Sequence, residues 1–473
     1  MKINATYPIF VMGLLVFLYC LARVFWLSMT HDESATVINF VARPVGLILS
    51  NDPPSANNHL LNTLLIKAFI TIHNTPFWVR LPNLLSVLLY LFFSYKLLRL
   101  LFEDQYMQIA GFVLLISNHY LIEYFSLARG YGLSLGFLMA ALYGLTHYLQ
   151  NFRYKYLIGA LLAMILAVYS NLTLLNVYVA AIAVLNVAIV FRKGKTKAEK
   201  WALWLGANAG LGVSALVLAG LLYWPVKLML AGGELYYGGD RGFLPDTVKS
   251  LVEVYLYGKT YIGANTAQFF FIVVIALGGV GILNGLGRSI YKKENGQEGF
   301  YALLLLLMVF STIAQHELLG TRFLIGRTAL CFYPVFVLCV LYVFQWEKAW
   351  PKWILFIWVG FSLYHFCRVA NLNMTREWWY DRHTEAMLEA VMEDAGEQQP
   401  IRIGGHWIFA PTVEYYKQSR QYPIIGPAYN QEVTDSDKFD YFYIEQQDLG
   451  KLHPSYQVLK DFGGYYLMKR VGE

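Results

Sequence analysis

Long apolar runs separated by short polar joints occupy most of the chain. About eleven of them are long enough to cross the roughly 30 Å hydrocarbon core of a bilayer as helices. They lie near residues 9–28, 82–101, 106–122, 131–150, 154–170, 172–191, 201–223, 265–287, 299–316, 328–345 and 351–369. The pattern predicts an all-α polytopic membrane module over residues 1–370.

The segment between the first two runs, residues 29–80, predicts an ordered loop with two surface helices. Val37, Phe40 and Val41 share one helical face before Pro44. A second face lies within residues 58–73 and comprises Leu61, Leu64, Leu65, Ala68, Phe69 and Ile72. We expect both helices to lie on the membrane surface, joined by the turn sequence "SNDPPSANN".

Residues 371–473 change character and predict a small α/β domain outside the membrane. Helical periodicity covers residues 384–399 and 411–419. Strand-like stretches cover residues 401–409, 422–426, 439–445 and 465–471. No glycine-rich nucleotide-binding fingerprint occurs in this tail.

Composition agrees with a membrane protein. The 473 residues are 57% hydrophobic and 14% charged, with a mean hydropathy of +0.44. The net charge of +6 does not indicate nucleic-acid binding, because the basic residues lie in joints between apolar runs. The four cysteines lie within apolar runs, which argues against a disulfide framework.

Positive residues also predict orientation. They cluster at residues 96–99, 153–155, 191–200, 288–293 and 347–352, which are alternate joints. If these joints are cytoplasmic, the first loop and the tail lie on the outer face. Five arginines then lie on the side that positive charges usually avoid, namely Arg80, Arg129, Arg241, Arg322 and Arg327.

Two adjacent acids, Asp32 and Glu33, follow the first apolar run directly. A carboxylate close to low dielectric is costly unless it is well paired. One interpretation is structural: Asp32 is the N-cap of the first surface helix and Glu33 lies in its first turn. The alternative is that the acids carry chemistry.

The order of several short motifs resembles the GT-C glycosyltransferases, specifically the family of protein O-mannosyltransferases and bacterial lipid-A aminoarabinose transferases. The motifs are the acid pair, the turn "NDPPSANNH", Arg80-Leu81-Pro82, the turn "YFSLARGYGLSL" and "GTRFLIGRTALCFYPVF". The resemblance covers residues 8–190 and recurs around 320–340. The chain departs from the family in lacking a large luminal insert and the Lys/His-Pro-Pro order near His59.

The resemblance implies an inverting hexosyl- or pentosyltransferase that uses a polyprenyl-phosphate sugar donor. The acceptor is a hydroxyl group of a lipid, glycan or protein on the periplasmic face of a bacterial inner membrane. Asp32 is expected to be the base, with Glu33 orienting it or helping to hold a cation. The donor phosphate is assigned first to Arg129 and Arg327 and second to Arg80 and Arg322, although single interfacial arginines also bind headgroups.

The expected substrate pocket includes His59, Asn58, Tyr131, Tyr236 and Tyr237. The last two are alternatively part of an interfacial aromatic belt. They lie in "LAGGELYYGGDRGF", whose glycines suggest a mobile loop or a plain turn. A Zn or Mg site is left open, with candidate ligands His31, His59, His316, Glu33 and Glu317.

Three other functions are compatible with a polytopic protein. A surface-polysaccharide polymerase or ligase would centre on arginine and histidine in later outer loops. A secondary transporter would carry ionisable residues near mid-bilayer, often in repeated halves, and no repeat is visible. A structural membrane module does not need so elaborate a first loop.

Overall fold

The computed structural model describes residues 5–192, 195–291, 297–345, 349–397, 400–426, 433 and 439–471. Parts of three predicted basic joints, at 193–194, 292–296 and 346–348, lie outside these residues, as does the end of the helix predicted over 384–399. Contacts divide the chain into two compact units. The helical unit comprises Met1–Leu21, Leu49–Asn62 and Pro82–Ala370, and the mixed unit comprises Ala22–Ile48, Thr63–Leu81 and Asn371–Glu473. Much of the first loop thus groups with the tail rather than with the transmembrane module to which we assigned it.

Helices dominate the described residues up to the tail. Their bounds are α1 Thr6–Trp26, α2 His31–Thr36, α3 Val45–Ser50, α4 Leu60–Phe69, α5 Pro76–Leu101, α6 Gln105–Ile116, α7 His119–Glu123, α8 Gly130–Asn151, α9 Tyr154–Ser170, α10 Leu175–Val190, α11 Lys197–Ala231, α12 Lys249–Leu256, α13 Thr266–Tyr291, α14 Gln297–Leu319, α15 Phe332–Leu341 and α16 Ala349–Val369. Every predicted apolar run coincides with one of these helices or with a consecutive pair.

The protein is a multi-pass membrane protein. Among the described residues, seven helices are long and apolar enough to cross a bilayer. They are Thr6–Trp26, Pro76–Leu101, Gly130–Asn151, Leu172–Val190, Lys197–Ala231, Gly263–Ser289 and Glu298–Leu319. The pair α6 and α7, bent by 64°, makes an eighth if it is one span. The apolar helices Tyr154–Ser170 and Phe332–Phe344 are shorter, so the count of eleven stays a prediction.

The first surface helix forms, with one correction at its start. Helix α2 is preceded by Thr30 as its N-cap, so Asp32 lies inside the first turn and is not the cap we predicted. The helix continues as a π-helical turn over Val37–Val41, and the three residues of the predicted apolar face are buried there. Its end before Pro44 follows from the ring geometry of proline. The short helix α3 that comes next was not predicted.

The tail is the predicted α/β domain. Its helices are α17 Thr384–Ala395 and α18 Ala410–Arg420, and its strands are β1 Ile401–Gly405, β2 Ile424–Ile425, β3 Tyr441–Glu445, β4 Tyr456–Asp461 and β5 Tyr465–Arg470. The sheet order is β2-β1-β3-β5-β4, parallel between β2, β1 and β3 and antiparallel between β3, β5 and β4. Strand β4 was missed because it is an edge strand with only its first residue buried.

Candidate functional site

Glu33 is a fully buried anion in the mixed unit, and its partner is Arg80. The Arg80 guanidinium donates from Nε to Oε1 at 2.9 Å and from Nη2 to Oε2 at 2.8 Å, and both side chains are 0% exposed. Glu33 Oε2 also accepts hydrogen bonds from the backbone N–H and the hydroxyl of Thr30 at 3.1 and 3.0 Å. The forked geometry satisfies both charges in a place that water does not reach.

The other donors of Arg80 close the end of α1. Nη1 donates to the carbonyl oxygens of Val24 and Leu27 at 3.2 and 2.6 Å, and Nη2 donates to that of Ser28 at 2.8 Å. These carbonyls lie at a helix C-terminus, where no intrahelical N–H is available to them. All five N–H donors of Arg80 are therefore engaged within the protein, which disfavours its predicted role as a ligand of the donor phosphate.

Asp32 has a different environment from its neighbour. Successive helical residues point about 100° apart because a turn takes 3.6 residues, so the two carboxylates leave α2 in different directions. Asp32 is partly exposed, and its backbone carbonyl accepts a hydrogen bond from Thr36 Oγ1 at 2.7 Å. Of the acid pair, Asp32 is the residue that is partly exposed, although its Oδ2 is buried, whereas Glu33 is fully buried.

The tail holds the backbone on both sides of the acids. The N–H of Met29 donates to Tyr416 Oη at 2.9 Å, and Tyr416 Oη donates in turn to Glu385 Oε2 at 2.9 Å. The N–H of His31 donates to Asp381 Oδ2 at 2.7 Å. Backbone hydrogen bonds of this kind fix the position of residues 29–31. Sequence analysis did not predict these contacts with the tail.

Asp381 is a buried acid that the sequence analysis missed. Burial raises the pKa of its carboxyl well above the ordinary aspartate value, and the nearby Glu33 charge raises it further. The hydrogen bonds from His31 N–H and Thr384 Oγ1 act in the opposite direction but do not offset the burial. Two acids close together in a buried place cannot both ionise without cost.

Three segments meet around Arg129 in the helical unit, and we call their meeting place the Arg129 junction. They are the loop at 57–59, the turn at 127–131 and the end of α9 at Ser170. Arg129 is buried at the N-cap of α8 and donates from Nη1 and Nη2 to the carbonyl and side-chain oxygens of Asn57 at 3.1 and 2.5 Å. The N-terminus of α8 adds positive potential at the same place.

Gly130 explains why the three segments can approach so closely. A Cβ atom at this position would lie 2.0 Å from the carbonyl oxygen of Ser170 and 2.8 Å from the Cβ of His59. Only glycine fits between them. A glycine that sequence analysis reads as part of a turn is therefore a packing requirement of the junction.

His59 is buried in the junction, with 7% of its surface exposed. Its Nδ1 lies 3.0 Å from the carbonyl oxygen of Ser170, and its ring makes an edge contact with Tyr131 at 4.7 Å between centroids. Burial lowers the pKa of His59 well below its ordinary value, and the charges of Arg129 and Arg327 lower it further. The influence of Arg327 places that guanidinium within electrostatic range of the imidazole.

Arg327 follows a turn that fixes its direction. It lies in the 3₁₀ helix Gly326–Ala329, and the N–H of Gly326 donates to Ser250 Oγ at 3.0 Å. Its guanidinium lies over the ring of Tyr237, 5.0 Å from the centroid. Stacking of this kind orients the planar cation.

The remaining predicted site residues of this unit have other partners or are exposed. Arg322 is exposed and donates from Nη1 to Asp240 Oδ2 at 2.8 Å. Tyr236 is 71% exposed. Asn58 is buried and donates to Asn51 Oδ1 at 2.9 Å, so it supports the loop.

The glycine-rich segment before α12 is anchored rather than loose. Gly239 and Phe323 exchange two backbone hydrogen bonds, at 2.9 and 2.8 Å. Asp246 accepts the N–H groups of Arg241 and Gly242 at 2.6 and 3.1 Å, and these bonds lower the pKa of Asp246 against the effect of burial. The structure therefore favours the turn interpretation of this segment over the mobile loop.

The candidate metal ligands are dispersed. His31 Nδ1 lies 2.7 Å from the carbonyl oxygen of Ile408, and His316 Nδ1 lies 2.7 Å from that of Thr321. Across the part of the chain that the structure describes, no three His, Cys, Asp or Glu side chains form a group able to hold an ion.

Sequence reasoning also missed a buried polar group at the bent helix pair. Glu123, at the end of α7, is fully buried and accepts a hydrogen bond from Tyr257 Oη at 3.0 Å. His119 in the same helix lies 2.7 Å from Tyr19 Oη through Nε2. An ionisable residue next to an apolar run was the available signal.

Comparison with known proteins gives the fold. No family model matches the chain, and no curated protein matches it. The crystal structure of ArnT from Cupriavidus metallidurans bound to undecaprenyl phosphate covers 99% of this chain and 98% of its own, with a TM-score of 0.56 and 10% identity. The apo structure of the same ArnT covers 98% of both chains, with a TM-score of 0.50 and 10% identity.

The chain has the ArnT fold. This confirms the resemblance and the fold class predicted from the motifs, an all-α membrane module followed by a small α/β domain. At 10% identity the likeness to ArnT concerns the fold, and the chemistry has to be argued from the side chains described above.

Proposed function

We propose that the protein is an integral-membrane, inverting glycosyltransferase that moves a sugar from a polyprenyl phosphate to an acceptor hydroxyl. The observation that carries the proposal is the full-length likeness to ArnT, whose structure was determined with undecaprenyl phosphate bound. The setting that goes with it is the outer, periplasmic face of a bacterial inner membrane. The acceptor is a lipid, a glycan or a protein.

Asp32 is the proposed base. Its carboxylate takes the proton of the acceptor hydroxyl as the acceptor oxygen attacks the anomeric carbon. The bond from that carbon to the phosphate oxygen breaks in the same step, so the configuration inverts and polyprenyl phosphate leaves. Glu33 and Arg80 are positioning residues in this scheme, because their atoms are engaged with each other, with Thr30 and with the end of α1.

Arg129 and Arg327 are the proposed ligands of the donor phosphate. Guanidinium groups stay charged at any physiological pH and offer paired donors to phosphate oxygens. Both belong to the helical unit, and both lower the pKa of His59. Tyr131 and Tyr237 contribute aromatic walls through their contacts with His59 and Arg327. The scheme assigns the leaving-group charge to arginine and includes no metal ion.

Transfer and binding measurements on purified protein in lipid nanodiscs test this scheme. Asp32→Asn should abolish sugar transfer from an undecaprenyl-phosphate sugar while the variant still binds undecaprenyl phosphate. Arg327→Ala should weaken binding of undecaprenyl phosphate about 10- to 150-fold, the effect of losing a charged hydrogen bond. Near-normal turnover by Asp32→Asn contradicts the base assignment.

Arg322→Ala is the matched control for the phosphate ligand. It removes a guanidinium five positions away that is already paired with Asp240 at the surface. Exposed pairs of this kind contribute little, so binding should stay within about twofold of the unmodified protein. Equal losses in Arg322→Ala and Arg327→Ala would show a general charge effect and would remove Arg327 from the site.

A further inference from the structure

The hydrogen bond of His59 defines its tautomer. A carbonyl oxygen only accepts hydrogen bonds, so the 3.0 Å contact with Ser170 places a proton on Nδ1. In a neutral imidazole the other nitrogen, Nε2, then carries a lone pair and is an acceptor. The packing around Gly130 fixes the ring in this orientation.

Nε2 is a buried acceptor with nothing donating to it among the described residues. Buried polar atoms are nearly always hydrogen-bonded, and an unsatisfied one lowers the stability of the fold. An apolar side chain would avoid that cost. A buried imidazole with an open acceptor is consistent with a ligand group that donates a hydrogen bond at this position.

The charges around His59 restrict what that ligand can be. Arg129 and Arg327 are the charged groups that act on the ring, and together with burial they keep it neutral. A histidine whose Nδ1–H is held by a backbone carbonyl otherwise suits a metal ion. Two guanidinium charges repel a metal ion for the same reason that they disfavour the imidazolium, so a cation is a poor occupant.

Charge and the ability to donate a hydrogen bond also distinguish which part of a glycosyl phosphate suits Nε2. A phosphodiester attracts both arginines but is fully ionised and has no hydrogen to donate. A sugar hydroxyl is a neutral donor, and in a glycosyl phosphate it lies within a few bonds of the phosphate. An ammonium group on the sugar would donate as well, but the arginines would repel it.

We propose that Nε2 of His59 accepts a hydrogen bond from a hydroxyl group of the donor sugar, which makes the Arg129 junction a subsite for neutral sugars. This inference rests on the proposed function and narrows its substrate class. The subsite selects a neutral, hydroxylated sugar over one that presents an ammonium group to this nitrogen. His59 recognises the sugar in this scheme and does not bind the phosphate.

Binding of defined lipids separates these roles. The probes are undecaprenyl phosphate without sugar, its glucose, mannose and arabinose derivatives, and its aminoarabinose derivative. His59→Phe keeps an aromatic ring against Tyr131 and removes the acceptor. It should weaken binding of at least one neutral glycolipid about 3- to 10-fold, the effect of one neutral hydrogen bond, and leave undecaprenyl phosphate unchanged.

His316→Phe is the control variant. Its Nδ1 also faces a backbone carbonyl, and its ring stacks on Phe323 at 4.2 Å, but we assign it no role in the site. It should bind every probe as the unmodified protein does. Equal weakening of undecaprenyl phosphate and of the glycolipids by His59→Phe would make His59 a phosphate ligand and overturn the inference.

Two further outcomes also count against the inference. Unchanged binding of every neutral glycolipid by His59→Phe rejects it, and so does preferential binding of the aminoarabinose lipid by the unmodified protein. If the unmodified protein binds none of the lipids, the proposed function fails and the inference fails with it. If it binds undecaprenyl phosphate and only the sugar effects are missing, the proposed function stands alone.

Nitrogen-15 NMR of histidine-labelled, unmodified protein tests the tautomer without any substitution that affects folding. At pH 7 the His59 signal, identified by its absence in His59→Phe, should be that of a neutral ring protonated at Nδ1. Addition of a bound neutral glycolipid should shift the Nε2 resonance, whereas undecaprenyl phosphate should shift it less. A ring protonated at Nε2, or an imidazolium at pH 7, contradicts the assignment.

Discussion

Glu33→Gln should destabilise the protein strongly, although it replaces one side chain by another of the same shape. The carboxylate accepts two hydrogen bonds from Arg80 and two from Thr30, and no part of it is exposed. Glutamine keeps one acceptor oxygen, but its NH₂ group then faces donors of the guanidinium. Arg80 is left with its positive charge buried and only carbonyl oxygens as partners.

The magnitude follows from the burial of both partners. Removing one member of a buried ion pair costs about 3–5 kcal/mol, because the other charge loses its counterion where water cannot replace it. An exposed pair would lose only about 0–1 kcal/mol. Denaturant unfolding of the detergent-solubilised protein, followed by intrinsic tryptophan fluorescence, measures the difference.

Asp32→Asn is the matched control, one residue earlier and equally isosteric. Asp32 is partly exposed, so its loss should change the free energy of unfolding by no more than about 0.5 kcal/mol. The double variant Glu33→Gln with Arg80→Gln should lose less than the sum of its single variants, since it leaves no isolated charge. An unfolding midpoint of Glu33→Gln equal to that of the unmodified protein would refute the structural role of the pair.

Three further predictions concern positions outside the acid pair. Gly130→Ala should lower the free energy of unfolding by about 1–3 kcal/mol in a thermal-unfolding assay, because its methyl group would lie 2.0 Å from the carbonyl oxygen of Ser170. Gly159→Ala, whose methyl group would have no atom within 4 Å, should be neutral in that assay. Tyr416→Phe removes the hydrogen bond to the backbone N–H of Met29, next to the acids. It should lower the turnover number about tenfold or more and leave binding of undecaprenyl phosphate unchanged. A parallel loss of turnover and of binding would contradict a positioning role. The raised pKa of Asp381 means that its carboxyl group stays protonated to a higher pH in the folded protein than in the unfolded chain. The stabilisation from this protonated carboxyl is complete below about pH 4 and is lost as pH rises through the folded pKa. The free energy of unfolding of Asp381→Asn, relative to that of the unmodified protein, should therefore increase as pH rises from about 5 to about 8. A constant difference across that range would show that the carboxyl does not titrate there.

The fold could be predicted from the sequence to the extent that its signals are periodic. Apolar runs predicted the helices because a helix that crosses a bilayer must be apolar over about 20 residues, and apolar strand-like stretches predicted most strands of the tail because these strands are largely buried. Strand β4 escaped because an exposed edge carries no alternation of buried positions. Apolar character alone does not define a span, since Tyr154–Ser170 is apolar but shorter than the seven long apolar helices of the described residues.

The partners within the candidate site were not predictable. Glu33 and Arg80 are 47 residues apart, and the sequence marked both as unusual without indicating that they satisfy each other. The same signal, a charge beside an apolar run, was interpreted as phosphate binding for Arg80 and for Arg129 alike. The hydrogen bonds distinguish them: all five donors of Arg80 bond to Glu33 and the end of α1, whereas Arg129 donates to Asn57 and lies in the same junction as His59, to whose buried Nε2 no described residue donates.

The tail gives a physical reason why so small an α/β domain accompanies a membrane module. A base must lie within hydrogen-bond reach of the proton it removes, and a misplacement of about 1 Å costs about 100-fold in rate. Residues 27–31 connect two helices, and besides local bonds to Arg23, Glu33 and Ser34 their backbone is bonded to Arg80, Tyr416 and Asp381. The last two lie 387 and 350 residues along the chain from the groups they bind. A contact between residues so far apart in sequence costs conformational entropy when the chain folds. The concentration of such contacts on the stretch before Asp32 favours positioning of this carboxylate as the function of the domain.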